Sequence, residues 1–169
     1  GEVVLGEVRP PKRFSGFAKD VPRFVRAGMA WNLERHRWLN GQLRLVEGVF
    51  EEVAGGSNRV EGSGDLCVVT EGAAYSYVAE VVRELGVDAR VVKVSLLFPP
   101  PRGFLARALG GCERILVVEE LDPYLELIVK EILYDSGRAV PVYGKSTGHV
   151  ATEGELSRAA VRAALLPLV

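Results

Sequence analysis

From about residue 58 onward, short apolar runs alternate with stretches whose apolar residues recur every three or four positions. The apolar runs have the length of strands and lie at residues 65–70, 90–94, 115–118 and 139–143. A helical stretch follows each of them, the third beginning near Pro123 and the last after Ser157. Strands that are apolar on both faces and alternate with helices are typical of a parallel sheet covered on both sides. The predicted fold is therefore a three-layer α/β/α domain with a mainly parallel sheet.

Single residues indicate where these helices begin and end. Gly86 and Gly137 follow helical stretches and are expected to stop them, because glycine adopts the left-handed backbone at low cost. Ser157 is expected to cap the last helix. Asp122 is followed by Pro123, and this pair predicts an N-cap and first helical residue.

The N-terminal third has a different pattern. From about Ala30 to Val53, apolar residues recur mainly at three- and four-residue steps, which predicts one long amphipathic helix. Asp20 is expected to cap a short helical turn before it, and residues 3–5 could form a short strand. The break at residues 55–58 suggests two parts: an N-terminal extension with a helical linker (1–57) and the α/β domain (58–169).

Composition excludes several classes of protein. The chain has 169 residues and a formal net charge of −1, so no basic field favours nucleic acid, and no apolar run is long enough for a membrane helix. Cys67 and Cys112 are expected to be buried free thiols in a cytoplasmic protein, since no secretory segment is present. Because the chain starts at Gly1 and its one methionine is Met29, we expect a piece of a longer product.

The main candidate for function is the acidic turn after the strand at 115–118. Functional groups gather at the carboxyl ends of parallel strands, and Glu119, Glu120 and Asp122 lie at such an end. Asp122 is explained as a helix cap. Glu119 and Glu120 either form ion pairs with basic side chains or make a contact with another subunit or domain. Tyr77, off the apolar stripe of its helix, could present its hydroxyl at an interface.

Motifs for catalysis are missing from the sequence. Gly62-Ser63-Gly64 precedes a strand instead of following one, so it cannot present a helix N-terminus to a pyrophosphate. There is no Walker A, G-x-S-x-G or H-E-x-x-H motif, no Gly-Asp-Gly with a downstream Asn, and two cysteines cannot hold an iron–sulfur cluster. His36 lies amid arginines on the long helix and is expected to be a surface histidine or a partner contact, and His149 has no second ligand nearby in sequence. We therefore predict no catalytic, cofactor-binding or metal-binding residue.

Several segments, in this order, resemble the alpha subunit of the indolepyruvate (2-oxoacid) ferredoxin oxidoreductases. They are TEGAAYSYVAEVVRELG, VVKVSLLFPPP, RILVVEELDPYLELIVKEI and PVYGK, preceded by a linker-like GFAKDVPRFVRAGMAWNLERH. The resemblance covers about residues 9–169 and implies a transketolase C-terminal-like domain behind a helical linker. Thr70-Glu71-Gly72 departs from the Thr-Ser-Gly that is more usual in that family.

The resemblance implies a complete enzyme that converts aryl pyruvates to acyl-CoA and reduces ferredoxin, using thiamine diphosphate, magnesium, iron–sulfur clusters and CoA. It covers a noncatalytic region, so this chain alone is expected to be inactive, with the other domains of the alpha subunit and a beta subunit as its partners. Two alternatives remain. One is an independent flavodoxin-like nucleotide- or small-ligand-binding domain that uses the crevice beside Gly72 and Glu119, and the other is the equivalent domain of another thiamine enzyme.

Overall fold

The computed structural model describes residues 6–13, 16–25, 27–52 and 57–169. The strand suggested at residues 3–5 and the glycines at 55 and 56 lie outside the described residues. The chain divides into two units, Gly1–Leu39 and Asn40–Val169. The boundary expected at residues 57 and 58 stays a prediction.

Two helices lie in the N-terminal third, α1 (Val21–Phe24) and α2 (Met29–Glu52). The Asp20 carboxylate accepts a hydrogen bond from the Arg23 backbone N–H at 3.2 Å, which confirms the predicted cap. The bounds of α2 agree closely with its apolar periodicity. Gly41 and Gly48 lie inside α2, so its stability depends on more than intrinsic helix propensity.

A five-stranded sheet in the order β1-β3-β2-β4-β5 forms the centre of the second unit. Strands β2 to β5 are parallel, and β1 pairs antiparallel with β3 at one edge. The bounds are β1 (Arg59–Glu61), β2 (Leu66–Glu71), β3 (Ala89–Val94), β4 (Arg114–Val118) and β5 (Val142–Tyr143). The helices that follow are α3 (Ala74–Leu85), α4 (Arg102–Ala108), α5 (Tyr124–Asp135) and α6 (Arg158–Leu165), and a 3₁₀ turn covers Leu166–Leu168.

Helices cover both faces of this sheet, which confirms the predicted α/β class. Cys67 and Val69 of β2 pack into one core with α4 and α5, while Leu66 and Val68 pack into a second core with α3 and α6. Because both faces are buried, the central strands β2 and β4 are largely apolar instead of alternating. Strand β1 was not predicted, because its three residues are all exposed. Strand β5 is shorter than the expected 139–143.

Three of the four helix boundaries predicted for the α/β domain are confirmed. Gly86 and Gly137 have φ angles of 62° and 66°, in the left-handed region that stops a helix. The Ser157 hydroxyl accepts a hydrogen bond from the Ala160 backbone N–H at 3.2 Å and so caps α6. The fourth, at Asp122, differs and is described with the site.

The expectation of free thiols is wrong, because Cys67 and Cys112 form a disulfide. Cys67 lies in β2 and Cys112 lies just before β4, and their Cα atoms are 5.8 Å apart. The two residues are 45 positions apart in sequence. They meet because β2 and β4 are neighbours in the sheet, with Cys67 opposite Ile115. Whether the two cysteines are free or bonded therefore depends on the pairing of β2 with β4, which no local sequence pattern reveals.

Gly62 and Gly64 bring the chain close to the start of β3. A Cβ atom at Gly64 would overlap the backbone carbonyl of Asp88, and one at Gly62 would overlap that of Ala89. These glycines are therefore explained by close backbone packing, consistent with the absence of a phosphate-binding role predicted for this segment.

Candidate functional site at the carboxyl edge of the sheet

A crevice opens where the carboxyl ends of β2 and β4 lie side by side. The chain leaves β2 toward β3 on one side and returns to β4 on the other, so this edge is the switch point of the sheet. The crevice has a volume of about 520 Å³. Its lining combines four acids with apolar side chains: Glu71, Leu97, Glu119, Glu120, Leu121, Asp122 and Tyr124. Polar groups thus converge where open α/β sheets bind their ligands.

Glu119 caps α5, a role that the sequence assigned to Asp122. The Glu119 carboxylate accepts hydrogen bonds from the backbone N–H groups of Leu125 (2.6 Å) and Glu126 (2.9 Å). Helix α5 begins at Tyr124, and no side chain at its N-cap position makes a capping bond. The predicted cap at Asp122 is therefore wrong. An acid on the strand end satisfies the free N–H groups of the helix and interacts favourably with its dipole.

Replacement of Glu119 by Ala should therefore destabilise the domain more than replacement of Asp122. Loss of the cap at Glu119 removes the acceptor of two buried N–H groups, and a cost of about 1–3 kcal/mol follows. Asp122 is exposed, so Asp122→Ala should change the free energy of unfolding by less than about 0.5 kcal/mol. Urea denaturation of both variants measures the difference. Equal losses would contradict the assignment of the cap.

Burial controls the ionisation of the crevice. Desolvation raises the pKa of Glu71, the nearby charge of Glu120 raises it further, and a hydrogen bond from the Glu120 backbone N–H partly offsets both. Desolvation also raises the pKa of Glu119, against the two helix N–H groups that favour its charged form. Two acids at one strand edge thus hold protons more tightly than in water.

A second buried acid, Glu126, fixes the loop beside the crevice. Its carboxylate accepts hydrogen bonds from the backbone N–H groups of Lys145 (2.8 Å) and Ser146 (3.2 Å), and from the Ser146 hydroxyl. The Lys130 ammonium also donates to it at 2.6 Å. Burial alone would raise the pKa of Glu126, but the hydrogen bonds from Lys130 and Ser146 outweigh burial and lower it. The Glu126 carboxylate thereby joins α5 to the loop that contains Lys145 and Ser146.

The structure brings some of the predicted interface residues together. Glu119 and Glu120 both line the crevice, but Glu119 is 3% exposed and its oxygens are occupied by α5. Glu120 is exposed. Tyr77 is half-buried against the core under α3 and does not line the crevice. The interface role of all three stays a prediction.

Sequence reasoning missed several residues of the crevice. Glu71 directly follows a predicted strand, and that position was a usable signal. Leu97 and Tyr124 carried no such signal. Leu121 is 80% exposed and has a φ of 55°, a backbone conformation that costs energy for a leucine and that clusters at functional sites.

His149 contacts two neighbouring side chains. His149 packs against Tyr143 with ring centroids 4.7 Å apart, and its Nδ1 lies 3.0 Å from the Thr147 hydroxyl. Among the residues that the structure describes, no group of three or more His, Cys, Asp or Glu side chains could hold a metal ion. Over the same residues, no helix combines the length and the apolar character needed to cross a bilayer.

Known proteins match the chain over most of its length. Subunit IorA of indolepyruvate oxidoreductase from Pyrococcus abyssi is 36% identical over 154 residues, and that from Thermococcus kodakarensis is 37% identical over the same length. The match covers 86% of this chain and 23% of each relative. The chain is thus similar to one segment of these IorA subunits. The subunit from Methanothermobacter marburgensis matches 98% of the chain at 33% identity, and 27% of that relative is covered.

Other comparisons concern the fold. No family model matches the chain. A solved structure described as a split-gene transketolase, inactive beta4 tetramer, superposes with a TM-score of 0.52 at 23% identity. The superposition covers 65% of this chain and 40% of the chain in that solved structure. The resemblance to IorA subunits and to a transketolase-like fold, expected from the sequence, is confirmed. The chain spans about a quarter of the length of the relatives that it matches.

Proposed function

We propose that this chain is a noncatalytic interface domain in the alpha subunit of a thiamine-diphosphate-dependent 2-oxoacid ferredoxin oxidoreductase, most specifically one that acts on indolepyruvate. The complete enzyme would oxidatively decarboxylate 2-oxoacids to acyl-CoA and reduce ferredoxin. Thiamine diphosphate, magnesium, iron–sulfur clusters and CoA would be used by that enzyme in the cytoplasm. This domain would pack against other domains of the subunit and against a beta subunit.

The composition of the crevice is the observation that carries this proposal. A cofactor site for thiamine diphosphate must accept a diphosphate group, and the crevice offers four acids and no basic side chain among its lining residues. Carboxylates repel phosphate unless a metal ion joins them. Glu119, the most buried of the four, has both oxygens engaged by α5. These features support packing, with catalysis carried out elsewhere in the enzyme.

Calorimetric titration with thiamine diphosphate and Mg²⁺ tests the proposal. We expect no heat of binding from the 169-residue chain, because the crevice lining has no basic side chain to hold a diphosphate and the described residues contain no group of His, Cys, Asp or Glu that could hold Mg²⁺. Circular dichroism on the same sample establishes that the chain is folded. A stoichiometric complex would overturn the noncatalytic role. The complete enzyme, titrated in parallel, should bind the cofactor.

A second candidate function is a small-ligand-binding domain that acts on its own. The crevice volume and the raised pKa of Glu71 and Glu119 favour it, because convergent polar groups with shifted titration mark many binding sites. Thermal unfolding with and without FMN discriminates the two, since a flavodoxin-like nucleotide site would raise Tm and an interface domain would not.

A further inference from the structure

One outer surface of the second unit exposes several large apolar side chains. We call it the α5 face and define it by five exposed side chains: Phe98, Leu121, Tyr124, Leu127 and Tyr134. Their exposed fractions are 64%, 80%, 42%, 61% and 85% in that order. Tyr124, Leu127 and Tyr134 lie on one side of α5, because helical residues at i, i+3 and i+10 point within about 80° of one another. Exposed aromatic and leucine side chains grouped in this way are typical of a protein–protein interface.

The crevice continues this face at the end of the sheet. Leu121 and Tyr124 belong to both, and Leu97 is the neighbour of Phe98 in the chain. The charged side chains that line the crevice are all acidic: Glu71, Glu119, Glu120 and Asp122. The neighbouring cations have partners of their own: Arg102 is bound to Glu131 at 2.7 Å, Lys130 to Glu126 at 2.6 Å, and the buried Lys145 donates to the Ala151 carbonyl. The crevice lining therefore carries an excess of negative charge beside apolar side chains.

We propose that, in the complete enzyme, the α5 face and its acidic crevice receive a basic segment of another part of the assembly, with arginine or lysine beside an apolar side chain. This inference rests on the interface function proposed above and adds the place of the contact and the chemistry of the partner. An incoming cation lowers the repulsion between Glu71 and Glu120. An incoming apolar side chain covers Leu121. An acidic partner would add to the repulsion.

Amide hydrogen exchange on the complete enzyme tests this inference. Residues 119–127 should exchange about tenfold more slowly in the enzyme than in the isolated 169-residue chain, because a covering partner suppresses local opening. Two variants of the complete enzyme then test charge. Glu120→Arg with Asp122→Arg should abolish that protection or prevent assembly. Asp88→Arg with Glu113→Arg, which changes the net charge equally at exposed positions outside the crevice, should leave protection and assembly intact.

Several results would overturn the proposal. Equal exchange in the enzyme and in the isolated chain would mean that nothing covers the face. Protection that survives the Glu120→Arg and Asp122→Arg changes would exclude a basic partner, and assembly lost equally in both charge-reversed enzymes would show an effect unrelated to the crevice. Protection that grows with the concentration of the isolated chain would identify a second copy as the occupant. Protection reproduced by adding spermidine would identify a small cation.

A pair of milder substitutions keeps the test decisive if the arginine substitutions disrupt folding. Glu120→Gln with Asp122→Asn removes charge without adding bulk, and circular dichroism of the isolated chain verifies the fold. This pair should still reduce the protection of residues 119–127. Unchanged protection would contradict the basic partner at the α5 face, while the interface function proposed above could still belong to another surface. Failure of the interface function itself would instead appear as thiamine diphosphate binding to the isolated chain.

Discussion

Replacement of Glu126 by Ala should lower the free energy of unfolding by about 3–5 kcal/mol, because the buried partners of its carboxylate would be left without an acceptor. The side chain is 1% exposed and accepts the N–H groups of Lys145 and Ser146. Loss of one partner of a buried charged network costs more than the net contribution of the network, since the remaining groups stay desolvated. Urea denaturation measures the change.

Glu131→Ala is the matched control on the same helix. Glu131 pairs with Arg102 at 2.7 Å, but its side chain is 53% exposed, so water screens the pair. Its removal should cost less than about 1 kcal/mol. Similar losses for Glu126→Ala and Glu131→Ala would show that the buried network does not stabilise the fold.

The contribution of Glu126 should also depend on pH. Its pKa is lowered in the folded protein, so its stabilising effect is complete above the unfolded pKa, which is about 4.3 for glutamate. The effect is lost as the pH falls through the lower folded pKa. The difference in unfolding free energy between the parent and Glu126→Gln should therefore be largest at neutral pH and shrink in acid. The charge of Glu126 is one of the causes that raise the pKa of Glu119, so Glu126→Gln should also move the Glu119 pKa downward.

The central part of the fold could be predicted because its physical cause is local. Strands β2 and β4 are buried on both faces and appear as nearly continuous apolar runs, and β3 is rich in valine. Gly86, Gly137 and Ser157 mark helix ends through their own backbone or hydroxyl chemistry. Strand β1 has no apolar signal, since the hydrogen bonds that it makes with β3 are supplied by the backbone. Strand β1 forms by pairing with the edge of β3, and that edge is available only in the assembled sheet.

The candidate site was predictable in position and not in the role of each acid. The sequence placed Glu119, Glu120 and Asp122 at a strand end, and the crevice lies there. Because Pro123 directly follows Asp122, the local sequence favoured Asp122 as the N-cap of α5. The turn after β4 instead places the Glu119 carboxylate against the backbone N–H groups of Leu125 and Glu126, which follow six and seven residues later in the chain. Glu119 therefore takes the role of the cap. Glu71 joins them through the pairing of β2 with β4, which is a long-range event.

Removal of the Cys67–Cys112 disulfide should lower the stability by about 4 kcal/mol, the loop-entropy value for a cross-link that closes a loop of about 45 residues. The double variant Cys67→Ala/Cys112→Ala tests this by guanidinium denaturation. Cys67 and Cys112 are 0% and 2% exposed, so part of the loss will also reflect removal of buried sulfur atoms. A reductant separates the two contributions, because it breaks the cross-link and leaves both sulfur atoms in place.

Dithiothreitol should therefore destabilise the parent protein and leave the double variant unchanged. Thiol titration in denaturant should detect no free thiol in the parent without reductant, and two with it. Two free thiols in the unreduced parent, with a midpoint that reductant does not move, would contradict a disulfide in the folded protein. The cross-link joins a central strand to the turn before its neighbour, so its loss should accelerate unfolding of the β2–β4 pair, whose carboxyl ends border the crevice.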